Sequence, residues 1–128
     1  MTTATLIFPL ELPGMNEIVD AAKGCGGTGR LYSKMKKDFT NTIALMTRAQ
    51  FKGAPFERYF LGFAWFFKDA RKDPDNIIAA KKFILDGMVV GKALAGDTQK
   101  HFMGIDYECW SVDRSKKPSV RVIVTGAP

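Results

Sequence analysis

Histidine and cysteine are nearly missing from this chain: it has one histidine, His101, and two cysteines, Cys25 and Cys109. The cysteines lie far apart and match no metal-ligand spacing, which excludes a zinc site built on thiolates and imidazoles. Cys25 has no histidine at a spacing that would make it a nucleophile. His101 has no serine or cysteine partner either, so it reads as a surface residue or one that supports a site from behind. One disulfide would be possible on count, but a chain with 10 Phe, 3 Tyr and 2 Trp needs no staple for its core, and a reducing compartment is expected. Long apolar runs are also missing. The longest uncharged one, Tyr59 to Phe67, is about half of the ~20 residues a helix needs to span a bilayer. The first residues show neither the basic start nor the unbroken apolar stretch of a signal peptide. The expectation is a cytoplasmic protein with no membrane partner.

Acidic residues are in deficit, 13 against 19 Lys and Arg, for a net charge of +6. That balance favours a polyanion as partner, nucleic acid above all. At 128 residues, residues 1–128 are expected to form a single domain around one core.

Leu6-Ile7-Phe8 before Pro9 reads as a short first strand. Gly24-Cys25-Gly26-Gly27-Thr28-Gly29 is formally a GxGxxG, but the residues before it, Ile18 to Lys23, look helical. A dinucleotide loop needs a strand there, so no nucleotide cofactor is expected. Ser33 is a plausible N-cap for a helix from Lys34 to about Gln50, with Met35, Phe39, Ile43, Met46 and Ala49 as its apolar stripe. Lys34, Lys36, Lys37 and Arg48 fall on its other faces. Phe51 to Phe56 is a loop, and Tyr59 to Phe67 a buried strand. Trp65 and Trp110 lie in strand-like apolar runs and read as core residues, not base-stacking platforms. Ile77, Ala80, Ile84 and Met88 give helical periodicity to about Val90. Tyr107 to Val112 is a strand, Asp113 to Pro118 a turn, and Val120 to Val124 a last strand antiparallel to its predecessor. The fold class is α+β, a small mixed sheet with two main helices packed on it.

Within this basic chain, Asp73-Pro74-Asp75-Asn76 gathers two carboxylates and an amide at the head of the second helix. Lys68, Arg71 and Lys72 precede it, Lys81 and Lys82 follow it, and Asp97 lies a helix length downstream. Hard oxygen donors for Mg²⁺ or Mn²⁺ among cations that hold phosphates are what phosphodiester chemistry requires. The plainer reading of Asp73 and Asp75 is an N-cap and a first-turn acid, with Pro74 tolerated there because its missing N–H costs nothing. Lys82 is seven residues after Asp75, on the same helical face, and its side chain leans back toward the carboxylates. Asp86 comes four residues later, where it can pair with Lys82; the plainer reading of those two is a surface ion pair.

Lys72-Asp73-Pro74-Asp75-Asn76, then Ala80-Lys81-Lys82-Phe83-Ile84-Leu85-Asp86-Gly87, then Gly96-Asp97, resembles the core signature of RusA-type Holliday junction resolvases. Leu12-Pro13-Gly14-Met15-Asn16-Glu17 and Tyr32-Ser33-Lys34-Met35-Lys36-Lys37 resemble the N-terminal half of phage-borne members. The resemblance implies a small homodimeric α+β endonuclease that uses Mg²⁺, with Mn²⁺ possible, to nick four-way DNA junctions in paired, symmetric fashion. Its essential acids and metal ligands would fall on Asp73, Asp75 and Asp97, and its essential lysine on Lys82. Asn16 would lie near the DNA, as would Arg71, Lys72, Asn76, Lys81 and Lys36. Many members carry tandem acids where this chain has Gly96-Asp97, which leaves Asp106 as the reserve third ligand. A viral or prophage source would place the protein in the bacterial host cytoplasm. Two other readings stand beside this one: a basic nucleic-acid-binding protein without catalysis, and a metal-dependent phosphohydrolase acting on nucleotides.

Overall fold

The strand Tyr59–Phe67 decides the architecture: a run with no charged side chain belongs inside a sheet, with a strand on each edge to take its backbone hydrogen bonds. A computed structural model, which describes residues 2–11, 20–23, 30–70 and 80–128, gives it both. The elements are β1 (Thr3–Phe8), α1 (Arg30–Gln50), β2 (Tyr59–Phe67), α2 (Lys81–Val90), β3 (Phe102–Val112) and β4 (Ser119–Gly126). Residues 20–23 are a further short piece of helix. The four strands form one mixed sheet in the order β1-β4-β2-β3, an α+β fold.

β4 runs antiparallel to both β1 and β2, and β2 runs parallel to β3. The expected hairpin of the last two strands is therefore not formed: β4 leaves β3 and inserts between β1 and β2. The reason lies in the side chains. β2 is buried along most of its length, whereas β3 exposes Ile105, Tyr107, Trp110 and Val112, so β3 takes the outer edge. Its parallel pairing is allowed because α2 carries the chain back across the sheet. β3 also starts at Phe102, earlier than expected. Two irregularities in its register with β2, between Tyr59 and Phe60 and between Leu61 and Gly62, absorb the extra residues.

Tyr59, Leu61, Phe63 and Trp65 alternate onto one face of β2 and join Leu6, Phe8, Val120, Val122 and Val124. Phe83, Ile84 and Met88 of α2 and Ile43 of α1 close this core. Trp65 is buried, stacked on Phe63 and Phe67 at centroid distances of 5.7 and 6.4 Å. Trp110 is 38% exposed on the edge strand, not in the core as its apolar surroundings in sequence suggested.

α1 begins at Arg30, so Ser33 lies inside its first turn and is not the cap; Arg30 and Leu31 are good helix formers and extend the helix backward. Ile43 is buried and Met35, Phe39 and Met46 pack partly buried against the core. Ala49 is exposed, its expected place taken by Ala44 and Thr47. α1 and α2 touch through glycine: a Cβ on Gly87 would lie 2.3 Å from Cγ2 of Ile43, and one on Gly91 would lie 2.7 Å from Cβ of Thr47. At the far edge of the sheet, the Gln50 side chain accepts from the Ile7 N–H and donates to its carbonyl, both at 2.7 Å, satisfying an edge residue of β1.

Candidate metal and phosphate site

α2 starts at Lys81 with Ala80 at its N-cap and no side-chain cap; the expected cap, Asp73, lies outside the described residues. So do Asp75 and Asn76, together with Arg71, Lys72, Asn16 and the glycine loop with Cys25. The described part of the site is built on α2 and on the turn beyond it. Because residues four apart share a helical face, Asp86 meets Lys82, its carboxylate Oδ1 lying 3.0 Å from Nζ. The same ammonium lies 3.0 Å from Oδ2 of Asp97. Two acids thus flank one cation, and only the cation is well exposed: Lys82 57%, Asp86 17%, Asp97 28%.

The electrostatics come from this geometry. Hydrogen bonds to Asp86, then to Asp97, hold the Lys82 ammonium above the ordinary lysine range, so it is fully charged at neutral pH. The hydrogen bond from Lys82 holds the Asp97 carboxyl below the ordinary carboxylate range. The Tyr59 hydroxyl is pushed up to about 12, chiefly by burial and further by the Asp97 charge.

Asp97 sits in the turn between α2 and β3, and that turn is stitched to the segment entering β2. Phe56 N–H donates to the Ala93 carbonyl at 2.9 Å and Ala95 N–H to the Phe56 carbonyl at 3.0 Å. Tyr59 N–H donates to the His101 carbonyl at 2.9 Å, and the His101 and Phe102 N–H groups both donate to the Thr98 carbonyl. The Tyr59 hydroxyl donates to the Gly96 carbonyl at 2.5 Å. His101, half-buried, places Nδ1 2.7 Å from the Glu57 carbonyl; a carbonyl only accepts, so Nδ1 carries the proton.

Lys81, expected to face DNA beside Lys82, turns inward. Its Nζ lies 2.7 Å from Oε1 of Glu108 and 5.2 Å from the Phe63 ring centroid, while Oε2 of Glu108 accepts from Trp65 Nε1 at 2.9 Å. Lys36 is exposed on α1, beside Lys37, Tyr32 and Asn41 along a shallow groove. Asp106 is separated from the Lys82 cluster. Its Oδ1 lies 3.5 Å from where a Cβ of Gly62 would stand, and Gly62 points away from the core face that Leu61 and Phe63 occupy. Of the two downstream acids, Asp97 is the one brought to Lys82.

Sequence reasoning foresaw the Lys82–Asp86 pair from its spacing but not that Asp97 shares the same ammonium. His101 stands behind Asp97, one of the two places its reading allowed, but Tyr59 behind Asp97 and Glu108 beneath Lys81 were not foreseen; no spacing links those residues.

Among the described residues, no three His, Cys, Asp or Glu side chains gather as a closed metal cage would need. Asp97 is nonetheless of the donor type that Mg²⁺ takes, one or two carboxylates with the remaining positions left to water and phosphate oxygens. That carboxylate fits one position of such a shell, and the other expected ligands, Asp73 and Asp75, lie outside the described residues. No helix among the described residues is long and apolar enough to cross a membrane. No protein-family model and no curated protein sequence matches the chain.

Proposed function

We propose that this protein is a metal-dependent, structure-specific endodeoxyribonuclease of the RusA-like kind, cutting phosphodiester bonds of four-way DNA junctions. The observation that carries the reading is the Lys82 ammonium held 3.0 Å from both Asp86 and Asp97. A lysine kept charged and aimed by two acids, on the exposed side of a helix in a protein of net charge +6, suits a scissile phosphate better than it suits stability. Exposed pairs of this kind contribute only about 0.3–0.5 kcal/mol.

Asp97, with Asp73 and Asp75 of the acidic segment before α2, would hold Mg²⁺ or Mn²⁺. When bound, the ion supplies charge that lowers the pKa of a water and neutralises charge developing on phosphorus. Asp97 is ionised at neutral pH, and the hydrogen bond from Lys82 holds its carboxyl further below the ordinary range. Lys82 donates to a non-bridging phosphate oxygen as negative charge builds there, and Asp86 would keep the ammonium in place while the Asp97 carboxylate also served the ion. Lys36 and its neighbours on α1 contact the DNA backbone, without sequence preference. A four-way junction offers two equivalent strands, and a two-fold homodimer supplies two equivalent sites.

The test is a labelled synthetic four-way junction beside linear duplex of the same sequence, with and without Mg²⁺. Paired nicks confined to the junction and dependent on the ion support the proposal. Salt-sensitive binding with no cleavage in Mg²⁺ or Mn²⁺ would leave a basic DNA-binding protein in its place.

A further inference from the structure

Asp97 is held by a turn that the chain secures at more points than a connection of this length needs. Backbone hydrogen bonds from Ala95 to Phe56 and from Tyr59 to His101 fix it on both sides. Between them the Tyr59 ring is fully buried in the core and stacks on Phe102 at 5.7 Å, while its hydroxyl leaves the core to meet the Gly96 carbonyl at 2.5 Å. On the other side of Gly96 stands His101: a Cβ on Gly96 would lie 2.5 Å from Cδ2 of the imidazole. The ring is held by its own bond to the Glu57 carbonyl. The peptide that leads into Asp97 is thus clamped between a phenol and an imidazole, both anchored to the start of β2.

We propose that Tyr59 is a positioning residue for the candidate site: its hydroxyl fixes the Gly96–Asp97 peptide against His101, so that the Asp97 carboxylate is presented to Lys82 and to a divalent ion in one orientation. This rests on the reading of Asp97 as a metal ligand, given above. A phenylalanine would fill the same core space, so the hydroxyl is there for the turn and not for the core.

Tyr59→Phe removes the hydroxyl and leaves the ring. Two quantities read the result: Mn²⁺ affinity of the full chain by electron paramagnetic resonance, and amide hydrogen exchange of Ala95, His101 and Phe102 without metal. The expected outcome is Mn²⁺ binding weakened about 10-fold, the effect of losing a group that orients a metal ligand, with exchange at those three amides faster by about 5–10-fold. Gly96→Ala, which drives the turn off His101 by a different route, is expected to weaken Mn²⁺ binding in the same way. Wild-type Mn²⁺ affinity and wild-type exchange in folded Tyr59→Phe would overturn the proposal. A wild-type protein that binds no Mn²⁺ would sink the nuclease reading instead. The exchange arm would then still decide whether Tyr59 holds the Asp97 turn.

Discussion

Lys81 and Lys82 are neighbours in the chain with opposite fates. Lys81 is 12% exposed and spends its charge on Glu108, which is 15% exposed and also accepts from the Trp65 indole. Lys82 is 57% exposed and is shared by two acids. The first cluster is closed: one cation, one carboxylate, an aromatic roof at Phe63, and few hydrogen-bonding positions left over. The second carries two negative charges for one positive, and its lysine opens to solvent. One step along a helix separates them, since adjacent residues lie about 100° apart at 3.6 per turn. A mostly buried ion pair holds parts of the fold in register, whereas the second cluster leaves its ammonium exposed.

Breaking the closed cluster should cost the fold most. Glu108→Ala strands the Lys81 ammonium in a nearly buried place and leaves the Trp65 N–H without its acceptor. The expected loss is about 3–5 kcal/mol of stability, read by urea unfolding. A loss under about 1 kcal/mol, the range of exposed pairs, would mean that the Lys81 bridge is no more structural than the Lys82 pair.

The open cluster should show the reverse pattern. Lys82→Ala is expected to lower junction cleavage by about 10²–10³-fold, the cost of removing one donor to a developing oxyanion. Its unfolding midpoint should remain close to that of wild type. Lost binding with intact cleavage at saturating protein would make Lys82 a phosphate clamp.

The two tryptophans sharpen the same contrast. Trp65→Ala, in the closed cluster, should destabilise by about 3–5 kcal/mol, while Trp110→Ala on the edge of β3 should fall within about 1 kcal/mol. Equal losses would place Trp110 in a packed interface that the single chain does not display.

The smallest effect is that of pH. Asp97 titrates below its ordinary value of about 3.9, so its contribution is complete above that value and is lost as pH falls through the lower, folded one. Lys82 titrates above its ordinary value of about 10.4, so its contribution is complete below that value and is lost as pH rises through the higher, folded one. Between about pH 5 and 10 the pair is intact, and at this exposure it amounts to a fraction of a kcal/mol. Asp97→Asn should therefore narrow its stability difference from wild type only below about pH 4, checked by unfolding midpoints across that range.

Period and composition made much of the fold legible. The apolar run from Tyr59 to Phe67 reads as a buried strand because nothing in it could face water. The spacing of Ile77, Ala80, Ile84 and Met88 reads as helix because its three-residue step breaks a strand's alternation while the fours keep the helical face. Strand order was not legible in the same way: whether β4 pairs with β3 or inserts beside β2 depends on which edge each neighbour can cover, a property of three strands together. Trp110 illustrates the limit, since a tryptophan in an apolar run looks the same on an edge strand as in a central one. At the site, Lys82 and Asp86 were legible because a helix fixes their separation. The meeting of Asp97 with Lys82 depends on a turn, and turns are set by tertiary hydrogen bonds such as that from Tyr59 to Gly96, which no local pattern encodes.

The most direct measurement is junction cleavage by wild type, Asp97→Asn, Lys82→Ala and Lys81→Ala in Mg²⁺, each shown to be folded by its unfolding curve. Wild type should give paired nicks and Asp97→Asn none. Lys82→Ala should lose about 10²–10³-fold, and Lys81→Ala should be a less stable protein that still cuts. Cleavage by Asp97→Asn within a few-fold of wild type would remove Asp97 from the chemistry, and no cleavage by wild type would remove the nuclease reading.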